Sequence, residues 1–156
     1  EVWFLDEPFS ALDPLIRREM QNEFLRIQGL LHKTIIFITH DFDEAIKLAD
    51  RIAIMKDGKI IQIGTPEDLV ISPSDNYVKE FTKDIVRSKV LKAKSIMDDS
   101  SIDNSLEYKI NENAIVDEFS STIVKNDIKA LVVDSNNKGI GTIDKNKVID
   151  ILMDKI

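Results

Sequence analysis

The sequence predicts an α/β fold, and three observations lead to it. Two short apolar runs, Val2–Leu5 and Thr34–Thr39, show no polar alternation and read as strands buried in a parallel sheet. Between them Ile16, Met20, Phe24, Ile27 and Leu31 recur at spacings of three and four, which predicts one long helix. From about Lys94 a second, smaller rhythm follows: strand, helix, strand, strand, helix.

The elements follow in order. Val2–Leu5 ends abruptly in Asp6 and Glu7. Asp13 then precedes Pro14, an N-cap followed by proline at the first helical position, and the helix is expected to run to about Leu31. After the second strand, Asp41 and Glu44 form the pattern of a capping box for a short helix that turns Phe42, Ala45, Ile46 and Ala49 inward. Arg51–Met55 and Lys59–Ile63 flank Lys56-Asp57-Gly58, a strong hairpin signal. Thr65-Pro66-Glu67-Asp68 starts another helix, and Ser72-Pro73-Ser74 breaks it. A helix from Asn76 to about Val86 is expected to bury Val78, Phe81 and Ile85.

The composition turns polar and basic around Arg87–Lys94, which places a domain boundary there. Asp98–Ser105 reads as a polar loop. Strands are expected at Leu106–Ile110, Lys129–Asp134 and Ile140–Ile143, and helices at Glu112–Lys125 and Lys145–Met153. Ala130, Leu131, Val132 and Val133, with Val148, Ile149 and Leu152, are the expected core of this second part.

Composition narrows the function. The 156-residue chain holds one domain of usual size or two small ones. It has no cysteine, so neither a disulfide framework nor a thiolate site exists in it. Its formal net charge of −7 disfavours nonspecific binding to nucleic acid or to anionic lipid, so membrane association would have to come through a partner protein. No apolar run is long enough to span a bilayer and no signal peptide is visible. The first residue is Glu1 rather than Met, and the expectation is that an N-terminal part is missing.

Ligands of open α/β sheets sit at the carboxyl ends of the strands. One strand here ends in Asp6-Glu7, the other in Thr39-His40-Asp41. Phosphate hydrolysis needs a metal anchor, a group that positions water and donors to the γ-phosphate. Asp6 suits Mg²⁺ held through water, Glu7 suits the attacking water, and His40 suits a γ-phosphate contact that also fixes Glu7. Singly, each is more often a solvated loop residue or a structural histidine.

Together they form a longer pattern. Leu5–Pro14 (LDEPFSALDP) resembles the Walker B motif and D-loop of ABC-transporter ATPases, and Ile38–Asp41 (ITHD) resembles their H-switch. The resemblance implies Asp6 as the Walker B aspartate, Glu7 as the catalytic glutamate and His40 as the switch histidine. Ser10, Ala11, Leu12 and Asp13 would form a D-loop at a dimer interface. Asp50–Leu69 looks like the hairpin and helix that close the family's nucleotide-binding domain. Asp75–Ala93 is similar to the segment that joins ATPase to regulatory extension in importers of glycine betaine, proline betaine, choline or carnitine. No Walker A loop, Q-loop, LSGGQ-type signature or aromatic A-loop occurs in this sequence.

Lys129–Leu152 looks like one CBS motif. That family's nucleotide-contacting pattern, aligned on Gly141, places Asp144 where Ser or Thr is usual and Lys147 where Asp is usual. An anion beside a phosphate and a lysine beside a ribose hydroxyl do not suit adenine nucleotide.

The resemblance therefore implies the C-terminal part of a P-loop NTPase sheet in residues 1–90 and a CBS-like regulatory domain in residues 91–156. ATP and Mg²⁺ are the implied cofactors. A second ATPase subunit in a homodimer, a membrane permease and, indirectly, a substrate-binding protein are the implied partners, with no nucleic acid. The implied place is the cytoplasmic face of the plasma membrane, peripheral through the permease. The parent would hydrolyse ATP; this portion, without the phosphate cradle, is expected to be inactive alone. Two alternatives stand beside it: an importer of another small solute, or a non-catalytic remnant that dimerises through its CBS-like domain.

Overall fold

The computed structural model describes residues 1–153; the last three residues of the expected second domain lie outside the described residues. The chain is a mixed α/β protein that divides into two compact units, Glu1–Pro66 and the remainder from Glu67 on. Among the described residues no helix is long and apolar enough to cross a membrane.

The first unit opens with β1 (Val2–Asp6), α1 (Pro14–Leu31) and β2 (Thr34–Ile38). β1 and β2 pair in parallel, with Val2 opposite Thr34 and Asp6 opposite Ile38. Trp3, Leu5 and Ile35 line a small apolar cavity together with Phe24, Ile27 and Leu31 of α1. The two strands were expected to be buried, and they are not. A two-stranded sheet with one helix has a single covered face, so Phe4 is 70% exposed, and Val2, Ile36 and Ile38 are open as well.

Helix α1 begins as its sequence requires. The Asp13 carboxylate accepts from the N–H groups of Leu15 and Ile16, and Pro14 stands in the first turn. The helix ends at His32, whose left-handed backbone (φ 48°) closes the last turn through an N–H bond to the Gln28 carbonyl. The apolar stripe is only partly used. Ile16 and Met20 are exposed, and the buried residue of this helix is Gln21. Its amide donates to Glu44 Oε1 at 2.9 Å, and Lys47 Nζ donates to its carbonyl oxygen at 3.1 Å. A buried amide needs such partners, and α2 (Phe42–Leu48) supplies them. The capping box of α2 is consequently half formed. Asp41 accepts from the Glu44 N–H, while the Glu44 side chain turns to Gln21 instead of back to Asp41.

β3 (Ile52–Lys56) and β4 (Lys59–Gly64) form the expected hairpin. Asp57 and Gly58 both take positive φ, 50° and 73°, the pair of left-handed residues that a type I′ turn demands.

In the second unit α3 (Pro66–Ile71) and α4 (Asn76–Thr82) lead to a 3₁₀ turn at Arg87–Lys89. α4 stops four residues before its expected end. Its terminal Thr82 is buried and donates its hydroxyl back to the Val78 carbonyl, a bond that competes with helix continuation. Val78 and Thr82 are the buried residues, and Phe81 is exposed.

The segment expected to hold a domain boundary is part of a core. Val90, Leu91, Ala93 and Ile96 are buried, the last two in the short helix α5 (Ala93–Ile96). The Leu91 carbonyl accepts from Val116 N–H at 2.9 Å, Ala93 N–H donates to the Ala114 carbonyl at 2.8 Å, and Glu67 accepts from Lys92 N–H at 2.8 Å. Packing therefore divides the chain at Pro66 rather than at residue 90, because the apolar residues of this stretch are buried with the second unit.

The remaining elements are β5 (Lys109–Asn111), α6 (Val116–Asn126), β6 (Ala130–Val133), β7 (Gly139–Ile143) and α7 (Lys145–Leu152). β6 is central, parallel to β5 and antiparallel to β7, and all four of its residues are buried. Leu91, Ile110, Val116, Phe119, Ile123, Val132, Ile143, Val148 and Ile151 form the core with Ala93, Ile96 and Ala130. Each large apolar side chain buried this fully contributes about 1.5–3 kcal/mol. On α7 the inward residue after Val148 is Ile151, three positions on, while the expected Leu152 is 48% exposed.

Gly141 lets Met97 and Asp98 cross β7. A Cβ there would meet the Asp98 carbonyl oxygen and Met97 Sδ, both at 2.8 Å, while Asp98 and Thr142 exchange backbone hydrogen bonds at 2.9 and 3.0 Å. Because one obstacle is backbone, Gly141→Ala is expected to destabilise this unit by about 1–3 kcal/mol. Urea unfolding of the variant against the parent chain measures it; an unchanged midpoint contradicts the tight crossing.

Candidate active site

The parallel register of β1 and β2 brings the two polar strand ends side by side. Glu7 N–H donates to the Ile38 carbonyl at 2.9 Å, extending the ladder one residue past β1. The chain then turns sharply, because Glu7 itself adopts a left-handed conformation, φ 47°. Such a backbone costs a non-glycine residue about 1–2 kcal/mol, and the surroundings hold it. Ser10 donates to the Glu7 carbonyl twice, from Oγ at 2.9 Å and from its N–H at 3.3 Å.

Phe9 anchors the loop from below. It is buried, its ring 5.7 Å from that of Phe37 on β2 and 6.3 Å from that of Phe24 on α1. The loop ends in Asp13, whose carboxylate is committed to capping α1.

Across from Glu7, Thr39 and Asp41 shape the loop that carries His40. Thr39 Oγ1 accepts from the Asp41 N–H at 3.0 Å, and Asp41 caps α2. His40 is largely open, its side chain 78% exposed against 34% for Glu7. His40 Nδ1 lies 2.7 Å from both carboxylate oxygens of Glu7. A carboxylate only accepts, so Nδ1 carries the proton and donates, leaving Nε2 free to face a ligand. The hydrogen bond to Glu7 is the main cause that holds His40 above its ordinary pKa. The Glu7 charge adds to it, desolvation opposes it, and the charges of Asp41 and Glu44 add less than either.

Glu7 and His40 are thus in contact, and Ser10 is bonded to the Glu7 backbone. Asp6 stands at the exposed end of β1, opposite Ile38. Among the described residues no group of three or more His, Cys, Asp or Glu side chains is placed to hold a metal by itself. One exposed carboxylate does fit Mg²⁺, which takes one or two protein carboxylates and completes its shell with water and substrate phosphates.

Arg17 belongs to this site although no sequence motif singled it out. Its Nη2 donates to the Leu12 carbonyl at 3.2 Å, and its Nη1 lies 3.7 Å from Asp41 Oδ2. A basic residue one turn after an N-cap gives no signal of a partner 24 positions later.

In the second unit Asp144 caps α7, accepting from the Lys147 N–H at 2.9 Å. An open cleft beside it is lined by Asp127, Ile128, Lys129, Asp144, Lys145 and Asn146, and Lys145 is paired with Asp127 at 3.1 Å.

Comparisons with known proteins agree with the pattern of the first unit. A trimethylamine N-oxide transport system ATP-binding protein of Pelagibacter ubique is 51% identical over 149 residues, 96% of this chain and 44% of the relative. A glycine betaine transport ATP-binding protein of Bacillus subtilis is 56% identical over 97 residues, 62% of this chain and 23% of the relative. No family model matches. The chain thus spans less than half the length of the curated relatives it matches. Among solved structures, Staphylococcus aureus OpuCA aligns over 87% of each chain at 15% identity with a TM-score of 0.30, too low to define a shared fold. By sequence the chain is similar to a C-terminal part of transport-system ATP-binding proteins named for trimethylamine N-oxide, glycine betaine and choline.

The contact between Glu7 and His40 has a pH signature. A histidine pKa raised by folding lends its full stabilisation below about 6.5 and loses it as pH rises through the raised value. An NMR titration of His40 is expected to give a pKa above about 6.5, shifted downward by Glu7→Gln. An identical His40 titration in the two proteins contradicts the contact.

Proposed function

We propose that this chain is a C-terminal portion of an ABC importer's ATP-binding subunit that carries its Walker B, D-loop and H-switch, and that its importer carries a methylated amine osmolyte. The observation that carries the reading is the paired Glu7 carboxylate and His40 imidazole at the carboxyl ends of adjacent parallel strands. A relative named for trimethylamine N-oxide transport matches along 96% of the chain, one named for glycine betaine along 62%. Both names are of methylated amines, which favours that class of solute over an unrelated small molecule.

In this reading Glu7 orients and polarises the water that attacks the γ-phosphate of ATP. The left-handed turn at Glu7 swings its carboxylate to His40, whose Nδ1–H holds both oxygens in one orientation. The other face of His40 is open to the γ-phosphate. Asp6 would hold Mg²⁺ through water, and the metal would neutralise phosphate charge. Ser10, Ala11, Leu12 and Asp13 are the D-loop that meets a second copy of the subunit. The permease anchors the pair at the cytoplasmic face of the membrane, and a substrate-binding protein delivers the solute to the permease. The phosphate-cradling glycine loop has no counterpart in this sequence. Alone, the chain is therefore expected to bind MgATP weakly and not to turn it over.

The segment 91–156 is read as a CBS-like regulatory module that acts without adenine nucleotide. Asp144 caps α7 and lines an open cleft together with Asp127, and two carboxylates there disfavour a phosphate.

Two measurements test this. In the full-length subunit, Glu7→Gln is expected to lower ATP turnover by on the order of 100-fold or more while ATP binding persists, because the amide keeps the shape but cannot act as a base. Near-parental turnover would refute the catalytic assignment. In the whole transporter, loss of residues 91–156 is expected to remove the salt dependence of uptake, since charged contacts are screened over about 10 Å at ~0.1 M salt. Unchanged salt dependence would leave that segment structural only.

A further inference from the structure

Polar contacts around the Glu7 and His40 pair close into a ring. Glu7 bonds His40 through its side chain and Ser10 through its carbonyl. Ser10 and Leu12 lie on one short loop, pinned by Phe9 and by the bond from Leu12 N–H to the Phe9 carbonyl at 3.2 Å. Arg17 then reaches from the first turn of α1 in two directions. One nitrogen of its guanidinium donates to the Leu12 carbonyl, and another faces the Asp41 carboxylate. Asp41 directly follows His40, and its other oxygen caps α2.

Resting on the functional reading above, we propose that Arg17 is a positioning residue: its guanidinium ties the loop after Glu7 to the loop that carries His40, so that the two move as one body.

Three features support a positioning role over a merely stabilising one. At 3.7 Å and about one-third exposed on both sides, the pair with Asp41 is of a kind that adds little to stability. The rigid planar fork presents separate nitrogens to a carbonyl and a carboxylate on two different loops, a fixed spacing that the compact ammonium of lysine does not reproduce. Finally, Arg17 Nε has no protein acceptor, so the protein contacts that orient the guanidinium are those of its two terminal nitrogens, one to each loop. The device has a consequence for the proposed dimer. Displacement of the D-loop by a second subunit would be carried through Leu12, Arg17 and Asp41 to the histidine that orients Glu7.

The test uses the full-length subunit and its steady-state ATP turnover, with Glu7→Gln as the reference for the functional reading. Arg17→Lys and Arg17→Gln are expected to lower kcat by roughly ten- to a hundred-fold with KM for ATP little changed, as misplacement of a catalytic group does. Asp41→Asn keeps the α2 cap and removes the charge that faces Arg17, and it is expected to show the same split even if an Arg17 variant fails to fold. Parental kcat in Arg17→Lys together with Asp41→Asn would overturn the proposal, as would a loss confined to KM. Should Glu7→Gln retain turnover, the functional reading itself has failed. Should Glu7→Gln abolish turnover while the Arg17 and Asp41 variants keep it, only the positioning role has failed.

Discussion

Parallel pairing of two five-residue strands sets every distance at the site. The register places Asp6 opposite Ile38, and one further bond, from Glu7 N–H to the Ile38 carbonyl, carries the pairing past the end of β1. A slip of one residue would turn each side chain of β1 to the other face. Glu7 would then lose both its backbone partner and its reach to His40. The left-handed backbone of Glu7 is the second half of the constraint. It redirects the chain where the carboxylate meets His40, and the two bonds from Ser10 to the Glu7 carbonyl hold that turn.

What holds the register is an uneven mixture of apolar and polar packing. Phe9, Phe24 and Phe37 meet from the loop, the helix and the strand, with ring centres 5.7 to 6.3 Å apart. Beside this apolar wedge lies the polar link of Gln21, Glu44 and Lys47 between α1 and α2. It fixes the helix that follows His40 against the helix that follows the Glu7 loop. The open face of β1 and β2, with Phe4 and Ile36 exposed, is what a sheet looks like where its helix covers one side only.

Local chemistry was legible in the sequence wherever a single turn or cap decides the outcome. Asp13-Pro14, Asp41 and Asp57-Gly58 behave as their side chains and backbone freedom require. The pairing of Glu7 with His40 followed from placing both at strand ends. Burial was less legible, because it depends on which elements come together. Ile16 and Met20 fit a helical stripe yet stay exposed, whereas Gln21 is buried because Glu44 and Lys47 satisfy it. The basic stretch around Arg87–Lys94 reads as a domain boundary by composition, but its backbone pairs with the segment before α6 and its apolar residues enter a core. Arg17 carries no motif at all, and only the folded chain brings it to Leu12 and Asp41 at once.

In the proposed hydrolysis Glu7 and His40 work as one unit. A double-mutant cycle on ATP turnover by the full-length subunit, with Glu7→Gln, His40→Ala and the two combined, tests that directly. Groups that act together give losses that do not add. The predicted result is a double variant no slower than the worse single variant. Losses that multiply would mean that the two side chains act independently, and the contact at 2.7 Å would then have no part in the chemistry.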